Sequence, residues 1–170
     1  MKAISMWEPW ASLVRTGAKR LETRSWSTRY RGPLLICAAK GGIPKSELIF
    51  LLSCWNFQGG LAPLVGKPLD LTFRSWPGVK IEDLNFGKAV AVVDLVNCKP
   101  TGKLTQEEIG TDEPFGDFSM GRFAWQLENV VAIEPFPVKG MQGLFEVDEY
   151  SEEINQLLNS YDTARAKELP

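Results

Sequence analysis

The fold of this chain is limited above all by a series of short apolar runs that glycine and proline separate. The runs are rich in valine, isoleucine, leucine and aromatic residues, which is typical of β-strands. The candidate strands lie at 2–6, 20–26, 33–40, 88–96, 122–128, 130–133 and 144–147. We expect five or six short strands in all, with 88–96 at the centre of the sheet.

Helical signals are fewer and shorter. They predict a helix at 9–17, a second at 44–56, a capping-box turn at 105–108 and a last helix at 151–161. The segment 56–60 contains asparagine and glycine and is expected to end the second helix. The stretch 59–87 is rich in proline and glycine and has weak periodicity, which predicts an irregular insertion serving as a lid, a dimer arm or a spacer. Together these signals predict one α+β domain over residues 1–170, built on a small mixed β-barrel with peripheral helices.

Composition excludes several kinds of site. The 170 residues include no histidine, which excludes a Ser-His-Asp triad, a Cys-His dyad and a metal centre that needs imidazole. Cys37, Cys54 and Cys98 are far apart and show no C-x-x-C spacing, which indicates reduced thiols and not a disulfide frame or a zinc site. We therefore expect no cofactor and no metal, and any proton transfer must use Lys, Asp, Glu, Tyr or Cys.

The expected compartment is the cytoplasm. No apolar run approaches the ~20 residues that cross a bilayer, and the N-terminus lacks the apolar stretch of a signal peptide. We expect no membrane partner, and the sequence leaves the oligomeric state open.

Charge is distributed unevenly along the chain. The net charge is −2, which argues against a protein that coats duplex DNA non-specifically. Residues 1–31 nevertheless hold seven basic side chains against two acidic ones, whereas residues 82–117 hold eight acidic against three basic. This segregation is consistent with an anionic ligand near the N-terminal third, and equally with a solvated surface.

The segment 17–26 is the strongest candidate for a functional site. If 20–26 is a strand, Glu22, Arg24 and Trp26 share one face, with neighbours on that face ~7 Å apart, and Lys19 lies in the preceding turn. One acid, two bases and an indole could bind a phosphate and stack a base. The alternative is an exposed strand with surface ion pairs, which contribute little to stability.

The spacing Gly17-x-Lys19-x-x-Glu22-x-Arg24 resembles the signature of the ASCH family, whose members have a barrel related to PUA RNA-binding domains. Four further segments resemble that family in the same order, at 7–11, 30–36, 121–127 and 137–145. The resemblance implies a PUA-like barrel with a cleft that binds RNA or a nucleotide, lined by Lys19, Glu22 and Arg24.

The resemblance also implies two enzymatic alternatives, because some relatives remove the acetyl group from 4-acetylcytidine and ribonuclease activity is associated with others. The deacetylating branch has a threonine where this chain has Glu22, and Thr23 would face the opposite side of the strand. Glu22 would then act as a general base or bind an exocyclic amine. Many relatives have a histidine near the position of Cys37. In this chain Cys37 is interpreted as a thiol of the core.

A supporting carboxylate is expected near the site in that branch. Its position in the chain is consistent with any of four acids, which are Glu107, Glu108, Asp112 and Glu113.

The charges around Lys19 are expected to act on its pKa in opposite directions. The like charges of Arg20 and Arg24 would lower the pKa of Lys19, and Glu22 would raise it.

Further ligand contacts are predicted from neighbouring segments. Trp26 could stack on a base or pack in the core, and Arg29 and Arg31 lie in a loop where phosphate contact is plausible. Gln126 could read a base edge if its strand borders the cleft, and is otherwise exposed.

Three functions follow from these residues. The first is an RNA- or nucleotide-binding domain. The second is a metal-independent hydrolase of a modified nucleoside or of RNA, with Lys19 and Glu22 as acid and base and Arg24 binding the anion. The third is a protein-interaction domain whose charged patch meets an acidic partner.

Overall fold

The computed structural model describes residues 1–72 and 77–147, together with Glu152, Gln156 and Asn159. The predicted last helix at 151–161 otherwise lies outside the described residues, as does the part of the predicted insertion at 73–76.

The framework of the described part of the chain is one mixed sheet of six strands. These are β1 (Lys2–Met6), β2 (Leu21–Arg24), β3 (Gly32–Ala38), β4 (Lys88–Pro100), β5 (Phe123–Pro137) and β6 (Leu144–Glu146). Their order is β2-β5-β4-β3-β1-β6, with β1 and β3 parallel and every other neighbouring pair antiparallel. The predicted central strand β4 does lie in the middle of the sheet, between β5 and β3.

The sheet is curled because its two longest strands are irregularly paired. The β4–β5 ladder shifts register between Ala89 and Ala91, and at two further points toward Asn97. Such bulges increase the local twist of a strand pair. The predicted α+β domain on a small mixed barrel is confirmed, in the form of a half-barrel with helices around it.

Alternation along the central strands divides the core into two layers. Leu34 and Ile36 of β3 pack with Trp125, whereas Leu35 and Cys37 pack with Phe145. These opposite sets follow from the two-residue period of a strand, and both are fully buried.

Within residues 1–72 and 77–147, four α-helices lie beside the sheet, and these are α1 (Trp10–Arg15), α2 (Lys45–Ser53), α3 (Trp55–Leu61) and α4 (Gln106–Ile109). Helix α1 connects two parts of the core, since Ala11 and Val14 pack on the sheet while Leu13 packs with α2 and α3. Gly17, whose φ is +79°, ends α1 and turns the chain toward β2. Among the described residues, no single helix is long and apolar enough to cross a membrane, and only α2 and Trp55–Val65 taken together, across an 85° bend, reach that length and composition.

Two predicted boundaries are wrong. Segment 56–60 does not end the helical region but lies within α3, because its glycines allow close packing. A Cβ on Gly60 would lie 2.6 Å from Cδ2 of Leu13. The strands predicted at 122–128 and 130–133 are one strand, β5, which continues through Asn129 at a φ of 48°.

Candidate functional site

A cleft of about 740 Å³ opens beside β2. The β1–α1 connection and the segment 114–117 form its sides, and α2 and α3 contribute Leu51 and Phe57. Lys19, Glu22, Arg24 and Trp26 all line it. The structure therefore brings together the four residues that the segment 17–26 offered as a site.

Lys19 lies at the bottom of the cleft, with 1% of its side chain exposed. Its Nζ donates to the backbone carbonyls of Leu21, at 2.6 Å, and Phe115, at 2.9 Å, and lies 3.5 Å from Oε2 of Glu22. Three acceptors thus surround a group that has three hydrogens to donate when protonated. Burial lowers the pKa of Lys19, and the carboxylates of Glu22 and Asp112 oppose that shift. The sequence predicted opposing effects on this pKa from like charge and from Glu22, without a net direction. Arg24 and Glu22 do act in those senses, but burial is the largest cause of the shift.

Glu22 lies between two cations. Its Oε1 is 2.8 Å from Nε of Arg24, and its Oε2 faces Lys19. Arg24 also donates from Nη2 to the carbonyl of Ser5, at 2.8 Å, which ties β2 to β1. Two positive groups thus flank the carboxylate of Glu22 at the bottom of the cleft.

Asp112 supports this arrangement from behind the strand. Its Oδ1 accepts hydrogen bonds from the backbone N–H groups of Arg20, at 2.6 Å, and Leu21, at 2.9 Å. Asp112 is fully buried, whereas the other three acids considered as supporting carboxylates, Glu107, Glu108 and Glu113, are exposed. The structure thus singles out Asp112 as the acid that fixes the backbone directly after Lys19.

Arg122 and Asp117 form a second ion pair in the cleft lining, with Nε of Arg122 3.2 Å from Oδ2 of Asp117. Arg122 also donates from Nη2 to the carbonyl of Thr23, at 3.2 Å. Arg122 is not among the site residues that the sequence predicted. The signal in the sequence was a basic residue directly before the alternating apolar residues of β5. The contact of Arg122 with β2 could not be predicted from spacing, because it joins remote segments.

Three indoles line the cleft, those of Trp7, Trp10 and Trp26. Trp26 packs edge-on against Trp125, with ring centroids 4.6 Å apart and planes at 89°. This contact fixes the Trp26 ring, which is half-buried and lines the cleft. Trp7, on the β1–α1 connection, is 55% exposed and also lines it. An exposed indole beside a fixed one offers aromatic surface to a planar ligand.

The other predicted ligand contacts lie elsewhere. Arg29 and Arg31 are exposed and are not among the residues lining the cleft, and Arg31 donates to the carbonyls of Thr28 and Tyr30 in its own loop. Gln126 donates to Oε1 of Glu128 at 2.7 Å, outside the cleft lining. The structure thus does not bring Arg29, Arg31 or Gln126 into the lining of the cleft, and their contact with a ligand remains a prediction.

Cys37 lies outside the lining of the cleft. Cys37 is buried in the core, and burial raises the pKa of its thiol to about 12. Among the described residues, no group of three or more Cys, Asp or Glu side chains is arranged to hold a metal ion.

A family model described as "ASCH domain" matches residues 4–162. Two curated relatives are named activating signal cointegrator 1. The mouse protein is 31% identical over 152 residues and the human protein 29% identical over 152 residues. The match covers 85% of this chain and 22% of each relative, so the chain spans about a fifth of the length of the curated relatives it matches.

A solved structure with similarity to the chain is that of a mutant ZmASCH protein from Zymomonas mobilis. The alignment has a TM-score of 0.47 and 13% sequence identity, and it covers 93% of this chain and 96% of that one.

Proposed function

This chain belongs to the ASCH domain family, and on that premise we propose that its cleft binds RNA or a nucleotide. The observation that carries the proposal is one cavity of about 740 Å³ that combines the paired cations Lys19 and Arg24 at its floor with indole walls. Its volume falls in the usual range for small-molecule sites, roughly 300–1,000 Å³. A nucleotide presents the matching pair of features, an anion and a flat aromatic base.

Arg24 is the residue we assign to the phosphate. Its contacts to Glu22 and to the Ser5 carbonyl hold the guanidinium plane in place, and a fixed guanidinium suits the planar recognition of phosphate oxygens. Glu22 would accept a hydrogen bond from an exocyclic amine of the base, and Trp26 or Trp7 would stack on it.

A hydrolase is the second candidate, favoured by Lys19 and Glu22. A buried lysine with a lowered pKa beside a carboxylate, 3.5 Å away, is a possible acid–base pair for attack of water on an acyl group. However, all three hydrogens of a protonated Lys19 have acceptors within 3.5 Å, which favours the charged, non-basic form. This geometry is the reason we rank binding above catalysis.

Binding is tested by fluorescence polarisation with a labelled single-stranded RNA and competition by mononucleotides. We expect Arg24→Gln to weaken binding by roughly tenfold or more, because it removes a charge-assisted contact to phosphate. Arg31→Gln makes the same chemical change outside the cleft lining and is the matched control. Equal affinity of wild type and Arg24→Gln would overturn the assignment, and failure of mononucleotides to compete would favour an acidic protein partner.

Catalysis is tested by mass spectrometry of a short RNA with one 4-acetylcytidine, incubated with wild type and with Lys19→Ala. A change made only by wild type would establish an enzyme, and the product mass would distinguish deacetylation from strand cleavage. An unchanged RNA would exclude hydrolysis of this substrate.

A further inference from the structure

A second groove, of about 1090 Å³, continues from the cleft. The two concavities share four lining residues, Ser5, Trp7, Arg24 and Trp26. From this junction the groove runs along the ends of β3 and β5 and the start of β4. A ligand seated in the cleft would therefore have a path leading out past both indoles.

The groove and the cleft differ in the charge of their walls. Arg24, Lys40, Lys88 and Lys139 line the groove, and no aspartate or glutamate stands among its described lining residues. The cleft balances its three basic side chains with three acidic ones, Glu22, Glu47 and Asp117. The charged side chains of the groove are thus all positive, which is unexpected in a protein whose net charge is −2. This charge indicates a ligand with repeated negative charge.

The sheet register places these lysines together. The N–H of Gly87 donates to the carbonyl of Ala38 at 2.9 Å, and the N–H of Val138 donates to the carbonyl of Gly87 at 3.1 Å. The segments that carry Lys40, Lys88 and Lys139 are thus joined by backbone hydrogen bonds. The arrangement belongs to the fold and does not depend on flexible side chains finding each other.

The three lysines are also available to a ligand. All three are exposed, and within the described part of the chain none of them forms an ion pair with a carboxylate. By contrast, Lys99 is paired with Glu108. Exposed cations that are not paired within the molecule gain most from an external polyanion, because they lose no internal partner on binding.

We propose that this groove binds the phosphodiester backbone of a single-stranded oligonucleotide, one base of which enters the cleft. This inference rests on the proposed function of the cleft and extends it, since it makes a strand and not a mononucleotide the preferred ligand. A base can enter the cleft only when it is unpaired and unstacked, which selects single strands over duplexes. Trp7 and Trp26, at the junction, would stack on bases of the strand. An acidic peptide has no bases on which they could stack.

The test compares Lys40→Gln/Lys88→Gln/Lys139→Gln with a matched control, Lys45→Gln/Lys80→Gln/Lys103→Gln, which removes the same charge from outside the groove lining. Each protein is titrated with a hexanucleotide of RNA, the same sequence in DNA, a mononucleotide and a hexaglutamate peptide, at several salt concentrations. For wild type, we expect the hexanucleotide to bind more tightly than the mononucleotide.

The groove variant is expected to lose at least about tenfold in hexanucleotide affinity at low salt, and the slope of log K against log salt should fall in magnitude by roughly 2, since each lost phosphate contact to a single strand contributes about 0.7. Its mononucleotide affinity should not change, and the control variant should behave as wild type. RNA and DNA should respond alike if the groove reads only phosphodiesters, and a preference for RNA would show that the strand's 2′-hydroxyls are also bound.

Three outcomes would overturn the inference while leaving the cleft's function intact: equal hexanucleotide affinities for the groove variant and wild type, equal losses in the groove and control variants, or hexaglutamate binding as tight as RNA. If wild type bound neither the mononucleotide nor the hexanucleotide, the proposed function itself would fail, and the inference with it.

Discussion

The cleft and the groove use the same kinds of side chain in opposite ways. In the cleft, Lys19 is buried and its hydrogens are taken up by two carbonyls and Glu22. In the groove, Lys40, Lys88 and Lys139 are exposed. A lysine in the first setting is part of the structure, whereas a lysine in the second is available only to a ligand.

This difference predicts where stability and binding are coupled. Substitutions in the cleft should change both, because its charged groups hold β2 and the 110–115 turn in place. Substitutions in the groove should change binding alone. Each of the following experiments would break or sharpen that division.

The largest effect on stability is expected for Lys19→Met. The substitution leaves the carbonyls of Leu21 and Phe115 without their donor and removes one of the two cations beside Glu22. We expect a loss of about 2–4 kcal/mol in the free energy of unfolding, measured by urea denaturation. Lys40→Met is the control and should stay within about 0.5 kcal/mol of wild type. If the two variants were equally stable, the cleft would not be structural in this sense.

Asp112→Ala should have the next largest effect, about 2–3 kcal/mol, because it leaves the N–H groups of Arg20 and Leu21 without an acceptor in the interior. Asp112→Asn keeps an acceptor oxygen and should cost less. Glu113→Ala, at the neighbouring exposed position, is the control in the same urea experiment. Similar losses for Glu113→Ala and Asp112→Ala would contradict a specific role of the buried acid.

A smaller effect is expected from pH. The folded-state pKa of Lys19 lies below its ordinary value of 10.5, so between the two values the unfolded chain binds more protons than the folded one. The free energy of unfolding of wild type should therefore rise with pH through that window, relative to Lys19→Met, which lacks the titrating group. We expect the gap between the two proteins to widen by about 1.4 kcal/mol for each pH unit within that window, measured by urea unfolding from pH 7 to pH 10.5. A gap that stays constant or narrows would contradict the direction of the shift.

The smallest effect is expected for the groove variant Lys40→Gln/Lys88→Gln/Lys139→Gln. Its urea midpoint should match that of wild type, within about 0.5 kcal/mol in free energy of unfolding, because exposed side chains without buried partners contribute little. A larger loss would show that the groove, like the cleft, is part of the structure.

The local part of the cleft could be predicted from sequence. The two-residue period of a strand placed Glu22 and Arg24 side by side, and the structure pairs them at 2.8 Å. The capping box of Thr105 and Glu108 could also be predicted from sequence, because both of its hydrogen bonds join residues three positions apart.

The distant part could not be predicted, because it depends on contacts between remote segments. Asp112 meets the N–H of Arg20 across 92 residues, and the Phe115 carbonyl meets Lys19 across 96. Four acids were equivalent by spacing, and only burial separates them. The groove was missed for the same reason, because Lys40, Lys88 and Lys139 are brought together by sheet register.

Tertiary packing also overrode local signals at the wrong boundaries. Gly59 and Gly60 are poor helix formers, yet they lie inside α3 because a side chain at either position would collide with Asp70 or Leu13. Asn129 is of a residue type that favours turns, but β5 continues past it because both halves of the strand pair with β4.

The pairing of β1 with β6 bears on how such a domain can be joined to other polypeptide segments. Lys2 lies opposite Glu146, and Met1 and Val147 exchange backbone hydrogen bonds of 3.2 and 2.9 Å. Residues 1 and 147 are therefore held next to each other at the edge of the sheet. A polypeptide fused before residue 1 would start beside the edge strand β6, so such a connection has to leave the domain along that edge.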